Sequence, residues 1–297
     1  MFVGIDEYDA PANNSAFDGS GAETEQHRRS KVSEIEVFFK SSLFSVLKNG
    51  CSDGDTHAIS KYFLTGVLPA FRSGMSPLTA TEIISTRAEF HGICGFNSDQ
   101  VKVLGRAFLS RINKHLDYDH IYQVMDRYYG GYRFARPSEA QLDTLSNPQL
   151  IYHFLAEFKS HGHVSRPGES PAVHTTKVLK SIADTGDFSI EDIIQLMATG
   201  FLVSDEIIDE FGYADLVTES RIDRITTLSL LVHLGVLTRD DTGKQLRIPN
   251  HMMKSQVYKP TLFLSGRMLN RRISGISPHQ GVYRFPGGYK GQNGACK

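Results

Sequence analysis

Two adjacent carboxylates, Asp6 and Glu7, follow a short apolar run at the start of the chain, residues 1 to 5. The run predicts a buried strand, and the end of that strand would hold both carboxylates in a fixed place. This is the Walker B arrangement, in which the first carboxylate faces a magnesium ion and the second polarises an attacking water. Because acidic residues also end many strands simply by entering solvent, the pair by itself leaves both interpretations open.

The other half of such a site is a phosphate-binding loop, G-x-x-x-x-G-K-[ST], whose backbone N–H groups and lysine hold the phosphates. The sequence contains no such loop. Its one Gly-Lys pair, Gly243-Lys244, is followed by Gln245 and lies in a predicted hairpin turn. The chain therefore carries candidate residues for metal and water chemistry without the loop that would hold a nucleotide.

Two further polar residues are candidates for phosphate chemistry. A second strand predicted within residues 61–68 places Thr65 where the strand gives way to a loop, so its hydroxyl could orient water or a γ-phosphate. A polar strand terminus is the alternative for this threonine. Arg133 could stabilise charge on a phosphate, or it could form a structural ion pair.

Four segments of the sequence, taken together and in order, resemble the AAA-ATPase-like family, a P-loop ATPase group of fungi and bacteria often followed by a PD-(D/E)XK nuclease-like region. The resemblance covers residues 1 to about 258. The segments are Ile5-Asp6-Glu7-Tyr8-Asp9-Ala10-Pro11, Phe63-Leu64-Thr65-Gly66-Val67, Gly95-Phe96 and Gly130-Gly131-Tyr132-Arg133-Phe134.

The resemblance implies ATP and Mg²⁺ as cofactors and gives each candidate residue a role. It implies that Glu7 and Thr65 are catalytic and that Arg133 binds the nucleotide. Asp6 would bind Mg²⁺ through nucleotide or water. Asp9 belongs to the same motif, but the sequence gives it no chemical role.

Family members carry a first strand, the phosphate loop and its helix before the Asp-Glu strand, and this sequence contains none of the three. The expected fold class is therefore α/β, with a partial P-loop NTPase-like parallel sheet that lacks the first strand and the P-loop. We expect a fragment or truncated gene product that is inactive alone and binds neither ATP nor Mg²⁺ tightly. The missing loop leaves open whether this chain is an enzyme.

The order of predicted elements divides the chain into four regions. Residues 1–115 alternate strands and helices, which is typical of an α/β domain with a parallel sheet, and residues 116–218 predict helices alone. Residues 219–258 predict a helix ending near His233, a hairpin around residues 240–244 and a further helix near Asn250, which is a winged-helix pattern. Residues 259–297 predict a disordered basic tail.

Several elements are predicted from local signals. We expect a loop over residues 11–21, one helix over 26–48 and a sheet strand within 82–93. Ser98 is expected to cap the helix that follows. Asn147 and Pro148 predict an N-cap followed by proline at the first helical position, which begins another helix.

Composition is that of an ordinary soluble protein, with 40% hydrophobic residues and a net charge of −1. No apolar stretch approaches the roughly 20 residues that cross a bilayer, so we expect no membrane association. The three cysteines are scattered and indicate neither a disulfide framework nor a Cys-x-x-Cys metal site. An intracellular location, cytoplasmic or nuclear, is expected.

Charge is distributed unevenly along the chain. After Asp241 there is no Asp or Glu, whereas ten Lys and Arg residues follow, so this end carries +10. Such an end attracts nucleic acid or acidic surfaces. The alternative to an ATPase-like protein is therefore a non-enzymatic module that binds nucleic acid or a protein through residues 220–297, with Arg247, Lys254, Arg267, Arg271 and Arg272 as the expected contacts. The sequence identifies no specific partner.

Overall fold

The computed structural model describes residues 1–17, 25–51, 58–68, 81–93, 95–110, 117–136, 142–164, 190–204, 206–209, 212 and 222–257. These residues combine helices with small sheets, in agreement with the expected α/β class. None of the helices within them is both long and apolar enough to cross a membrane. The predicted tail, residues 259–297, lies outside the described residues.

The chain forms two compact units, each assembled from separated segments. Unit 1 comprises Met1–Arg87, Phe134–Arg136 and Ala172–Arg247, and unit 2 comprises Ala88–Arg133, Pro137–Pro171 and Ile248–Lys297.

Unit 1 begins with a parallel pair of strands. Strand β1 (Phe2–Ile5) pairs with β2 (Lys61–Leu64), so that Ile5 lies opposite Leu64. Both strands were expected, but the prediction that they are buried is wrong, because none of their eight residues is buried and Phe2 is 67% exposed. The described residues place no third strand beside this pair, and two strands alone cannot cover each other's faces.

Helices connect the two strands. They are α1 (Ala10–Phe17), α2 (Glu25–Phe38), a π-helix (Phe39–Phe44) and α3 (Ser45–Gly50). The loop expected over 11–21 is wrong for residues 11–17, because the carbonyl and carboxylate oxygens of Asp9 accept hydrogen bonds from Asn13 and so begin α1. The helix expected over 26–48 is present, but a π turn divides it and buries Phe39 and Phe44.

The strand expected within residues 82–93 is absent. The backbone there forms local turns, with Arg87 N bonded to Ile84 O, followed by a short 3₁₀-helix, Ala88–Phe90. These i to i+3 hydrogen bonds use the backbone groups that a sheet ladder would need. Apolar composition alone did not distinguish the two outcomes.

The second half of unit 1 contains a small antiparallel sheet between helices. Helix α7 (Ile190–Thr199) leads into β3 (Phe201–Val203), and α8 (Arg224–His233) leads into the hairpin of β4 (Thr238–Arg239) and β5 (Gln245–Arg247). The expected helix and hairpin are confirmed, whereas β3 was not predicted. The strand order is β3-β5-β4, so β5 is the central strand.

Helix α8 is buried on all sides over most of its length, since residues 226–232 are all buried. Its polar side chains bond inside the unit: the Ser229 hydroxyl donates to Ile225 O at 2.7 Å and accepts from Ile208 N at 3.0 Å. His233 Nε2 lies 3.2 Å from the carbonyl oxygen of Ile208, and burial lowers the pKa of the His233 imidazole. Such a helix belongs to the core of its unit and offers little free surface.

The described part of unit 2 consists mainly of packed helices. They are α4 (Ser98–Leu109), α5 (Tyr118–Tyr129), α6 (Pro148–His161) and α9 (251–257). The Asn147 cap and Pro148 at the first turn of α6 are confirmed. The expected Ser98 cap is displaced by one residue, because Asn97 and Gln100 form a reciprocal capping box.

The Gly130-Gly131 turn connects α5 to the rest of unit 2. The Gly130 carbonyl accepts a 2.8 Å hydrogen bond from Asn250 Nδ2, while Asn250 Oδ1 caps α9 by accepting from Met253 N at 3.0 Å. Gly131 has φ of 83°, and a Cβ there would lie 2.2 Å from the Pro249 carbonyl oxygen. Only glycine fits this turn without moving the backbone of residue 249.

We predict that Gly131→Ala destabilises the protein more than Gly162→Ala. Both glycines have positive φ, so each alanine carries the left-handed penalty of about 1–2 kcal/mol, but a Cβ on Gly162 meets no atom within 4 Å. Urea unfolding followed by circular dichroism measures both. Equal losses in the two variants would show that the close approach to Pro249 costs nothing.

Candidate functional site

The candidate site lies at the carboxyl ends of β1 and β2. Because the strands are parallel and in register at Ile5 and Leu64, the residues that follow them emerge side by side. The Thr65 hydroxyl donates a hydrogen bond to Asp6 Oδ1, and Thr65 N donates to Ile5 O at 2.9 Å. Two of the residues selected from the sequence are therefore in direct contact, although 59 positions separate them.

Glu7 occupies a strained position beside this contact. Its φ is 50°, and it is the one residue other than glycine with positive φ in the described part of the chain. Its N–H donates to Asp6 Oδ1 at 3.0 Å, and its side chain is exposed. A left-handed residue with a long side chain costs on the order of 1–3 kcal/mol and often marks a functional position.

Asp9 is the residue whose importance sequence reasoning missed. It is fully buried, and its Oδ2 accepts hydrogen bonds from Val67 N at 2.9 Å, Leu68 N at 2.6 Å and Asn13 Nδ2 at 2.7 Å. These bonds join the turn after β1 to the loop after β2. The carboxylate thus holds Thr65 beside Asp6 by fixing the backbone on both sides of their contact.

Tyr8 and Gly66 complete this connection. The Tyr8 hydroxyl donates to Leu68 O at 3.0 Å, and burial, helped by the charge of Asp9, raises the pKa of the phenol, so it remains a donor. A Cβ on Gly66 would lie 2.4 Å from Asp9 Oδ1 and 2.7 Å from Tyr8 Cε1. The sequence signal that could have identified Asp9 was the pair of motifs, Asp-Glu-Tyr-Asp and Leu-Thr-Gly. The last residue of each, Asp9 and Gly66, has a structural role rather than a chemical one.

Arg133 lies in unit 2, where its side chain donates a hydrogen bond to a backbone carbonyl. Its Nη2 donates to Leu142 O at 2.6 Å, and the residue is 9% exposed. The contact supports the neighbouring pairing of Tyr132 with Leu145. Of the four selected residues, the structure thus brings together Asp6, Glu7 and Thr65, and it gives Arg133 a structural contact.

The oxygen atoms at the candidate site suit a hard divalent cation. Carboxylate and hydroxyl oxygens, as in Asp6 and Thr65, are ligands that Mg²⁺ accepts, and Mg²⁺ usually keeps several waters beside one or two carboxylates and substrate phosphates. Among the described residues, no group of three or more His, Cys, Asp or Glu side chains gathers as a metal cage. The residues present therefore fit a magnesium ion that is held mainly by water and phosphate.

Comparison with protein-family models, curated proteins and solved structures found no match for this chain.

We predict that Asp9→Asn lowers the free energy of unfolding by roughly 2–4 kcal/mol, because an amide cannot accept from all the N–H groups that meet Oδ2 and buried donors lose their partner. Urea unfolding measures the loss, and hydrogen exchange should show faster exchange at Val67 and Leu68. The matched control is Asp6→Asn, the same change at an exposed residue, for which we expect less than about 1 kcal/mol. Equal losses would contradict the role of Asp9.

We predict that Glu7→Gly stabilises the protein by up to about 1 kcal/mol, because glycine adopts positive φ without the steric penalty that glutamate carries. Glu7→Gln serves as the control, since it keeps the strained backbone and the side-chain length while it removes the charge. Thermal unfolding followed by circular dichroism compares the variants. A lower melting temperature for Glu7→Gly would show that this turn is not strained.

Proposed function

We propose that this chain is an AAA-ATPase-like protein of P-loop type and that Asp6, Glu7 and Thr65 form the metal- and water-facing half of its ATP site. The observation that carries the proposal is the Thr65–Asp6 contact at the carboxyl ends of neighbouring parallel strands. Ligands of open α/β sheets bind at this edge. A pair of acidic residues that merely entered solvent would not need a hydroxyl donor fixed beside it.

Each residue then has a distinct task. Asp6 would hold Mg²⁺, directly or through water, and the bound ion would neutralise charge on the nucleotide phosphates. Thr65, through its hydroxyl, orients the Asp6 carboxylate and would orient a water beside it. Glu7 is exposed at the same edge and would accept the proton of that water.

The proposal places the strand of the phosphate loop beside β2. In the family that the sequence resembles, that strand lies next to the Thr65 strand, and among the described residues β2 pairs with β1.

We also propose the winged-helix-like segment over residues 219–258. In unit 1 it has helix α8 followed by the hairpin of β4 and β5, and its last helix, residues 251–257, belongs to unit 2. The burial of α8 on all sides favours an intramolecular role, such as a lid, over insertion of this helix into a nucleic-acid groove.

We predict that the chain alone shows no measurable Mg²⁺-dependent ATP hydrolysis, because Glu7 and Asp6 act on groups that a phosphate-binding loop must first position. The measurement is phosphate release from ATP by purified protein. Turnover that disappears in Glu7→Gln would contradict this prediction, since it would show that the half-site is sufficient.

The proposed function itself is tested by binding of Mn²⁺, a paramagnetic substitute for Mg²⁺, measured by electron paramagnetic resonance with ATP present. We expect weak binding that Asp6→Asn reduces by about tenfold or more, the scale on which a ligand substitution acts. Asp99→Asn is the matched control, another exposed aspartate, at the start of α4. Binding that is absent, or the same in both variants, would refute the proposal.

A further inference from the structure

A cluster of positive and titratable side chains lies where α5 meets α9 in unit 2. Arg127 on α5 donates from Nε to His251 Nε2 at 3.2 Å, and the imidazole stacks at an angle on the Tyr128 ring, 5.6 Å between centroids. Lys254 lies one turn further along α9. Arg127, His251 and Lys254 are all exposed, so a ligand can reach them.

The contact between Arg127 and His251 is unusual for an arginine. The guanidinium has only donors, so His251 must accept through an unprotonated Nε2 and is therefore neutral in this geometry. Burial, then the charges of Arg127 and Lys254, lower the pKa of the imidazole. A neutral acceptor satisfies one N–H of Arg127 but leaves its charge without compensation.

In the part of the chain that the structure describes, the charge of Arg127 is not paired with a carboxylate. Among the described residues neither Arg127 nor His251 forms an ion pair with Asp or Glu. Burial raises the pKa of Asp126, the acidic neighbour on α5, and the charge of Lys102 opposes that rise. The charged residues that follow Asp241 in the sequence are all Lys or Arg.

We propose that Arg127, His251 and Lys254, which we call the α5–α9 cluster, bind phosphate groups of the phosphodiester or small-oxyanion class. A planar guanidinium beside a lysine and an aromatic ring is a common arrangement for phosphate recognition. The cluster does not use α8, whose burial argues against groove reading. The inference is independent of the ATP site, which lies in unit 1.

His251 makes this binding depend on pH. Protonation of its Nε2 breaks the hydrogen bond from Arg127, frees that N–H for a ligand and adds a third positive charge. Arg127 and Lys254 are the charged groups on α5 and α9 that act on His251, and both oppose its protonation. A bound anion reverses that opposition, so affinity rises as pH falls.

The test uses the full chain and two probes whose charge is constant between pH 5.5 and 7.5, sulfate and a twelve-nucleotide oligothymidylate. Fluorescence anisotropy of labelled oligonucleotide and thermal unfolding in sulfate are measured at both pH values. The chain has no tryptophan, so unfolding is followed by circular dichroism. We expect oligonucleotide affinity about threefold to tenfold higher at pH 5.5, which corresponds to one added phosphate contact.

Variants distinguish binding by the α5–α9 cluster from non-specific attraction to a basic protein. Arg127→Gln should weaken oligonucleotide binding and reduce its dependence on salt by about one unit of slope, the share of one phosphate contact. His251→Gln, a neutral side chain at every pH, should abolish the pH dependence. Arg106→Gln on α4 removes an exposed arginine of the same unit and should change neither property.

The outcomes distinguish nucleic acid from small oxyanions as the ligand, and two of them would refute the proposal. A response to oligonucleotide with none to sulfate assigns the cluster to nucleic acid, and a response to sulfate alone assigns it to small oxyanions. No binding of either probe, or a pH dependence that persists in His251→Gln, would overturn the proposal. Circular dichroism spectra and Arg127→Lys, which keeps the charge and should retain part of the affinity, guard against loss of binding through misfolding.

Discussion

One buried carboxylate organises the candidate site of unit 1. Asp9 is fully buried and connects the residues after β1 to backbone N–H groups 58 and 59 positions later in the chain. A sheet of two short strands is marginal by itself in water. The bonds from Val67 and Leu68 to Asp9 therefore add the fixed geometry that the β1–β2 ladder alone would not supply, and a charged acceptor makes each of them stronger than an ordinary backbone bond.

The same constraint explains the strain at Glu7. The chain leaves β1 at Ile5 and must bring Asp9 under the loop after β2 within four residues. The turn does so with a left-handed Glu7, whose N–H donates to Asp6. Burial of Asp9 thus compensates for a strained turn that presents Asp6 and Glu7 at the sheet edge. Stability and the candidate chemistry come from different carboxylates of one motif.

The sequence predicted what local signals encode. Asn147 and Pro148 begin a helix, the polar turn over 240–244 makes a hairpin, and two apolar runs become parallel strands that bring Asp6 and Thr65 together. The sequence did not predict the role of Asp9, because its hydrogen bonds with Val67 and Leu68 produce no periodic pattern of residue types. Strand β3 was missed for the same reason, since its partner β5 lies more than 40 positions away. The 82–93 segment was misassigned because apolar content does not distinguish a strand from a series of turns.

The motif around Gly130 shows why a family resemblance must be resolved residue by residue. The Gly130 carbonyl accepts a hydrogen bond from Asn250, Gly131 leaves room for the Pro249 carbonyl, and Arg133 donates to the Leu142 carbonyl. The described contacts of this motif therefore stabilise unit 2. Arg127 lies outside the motif, yet it is exposed and meets a neutral imidazole where arginine usually meets a carboxylate. Arg133 is 9% exposed, so a ligand in solvent can hardly reach its guanidinium. An exposed arginine among other cations has charge to offer a ligand, and on physical grounds Arg127 is the better candidate of the two for phosphate recognition.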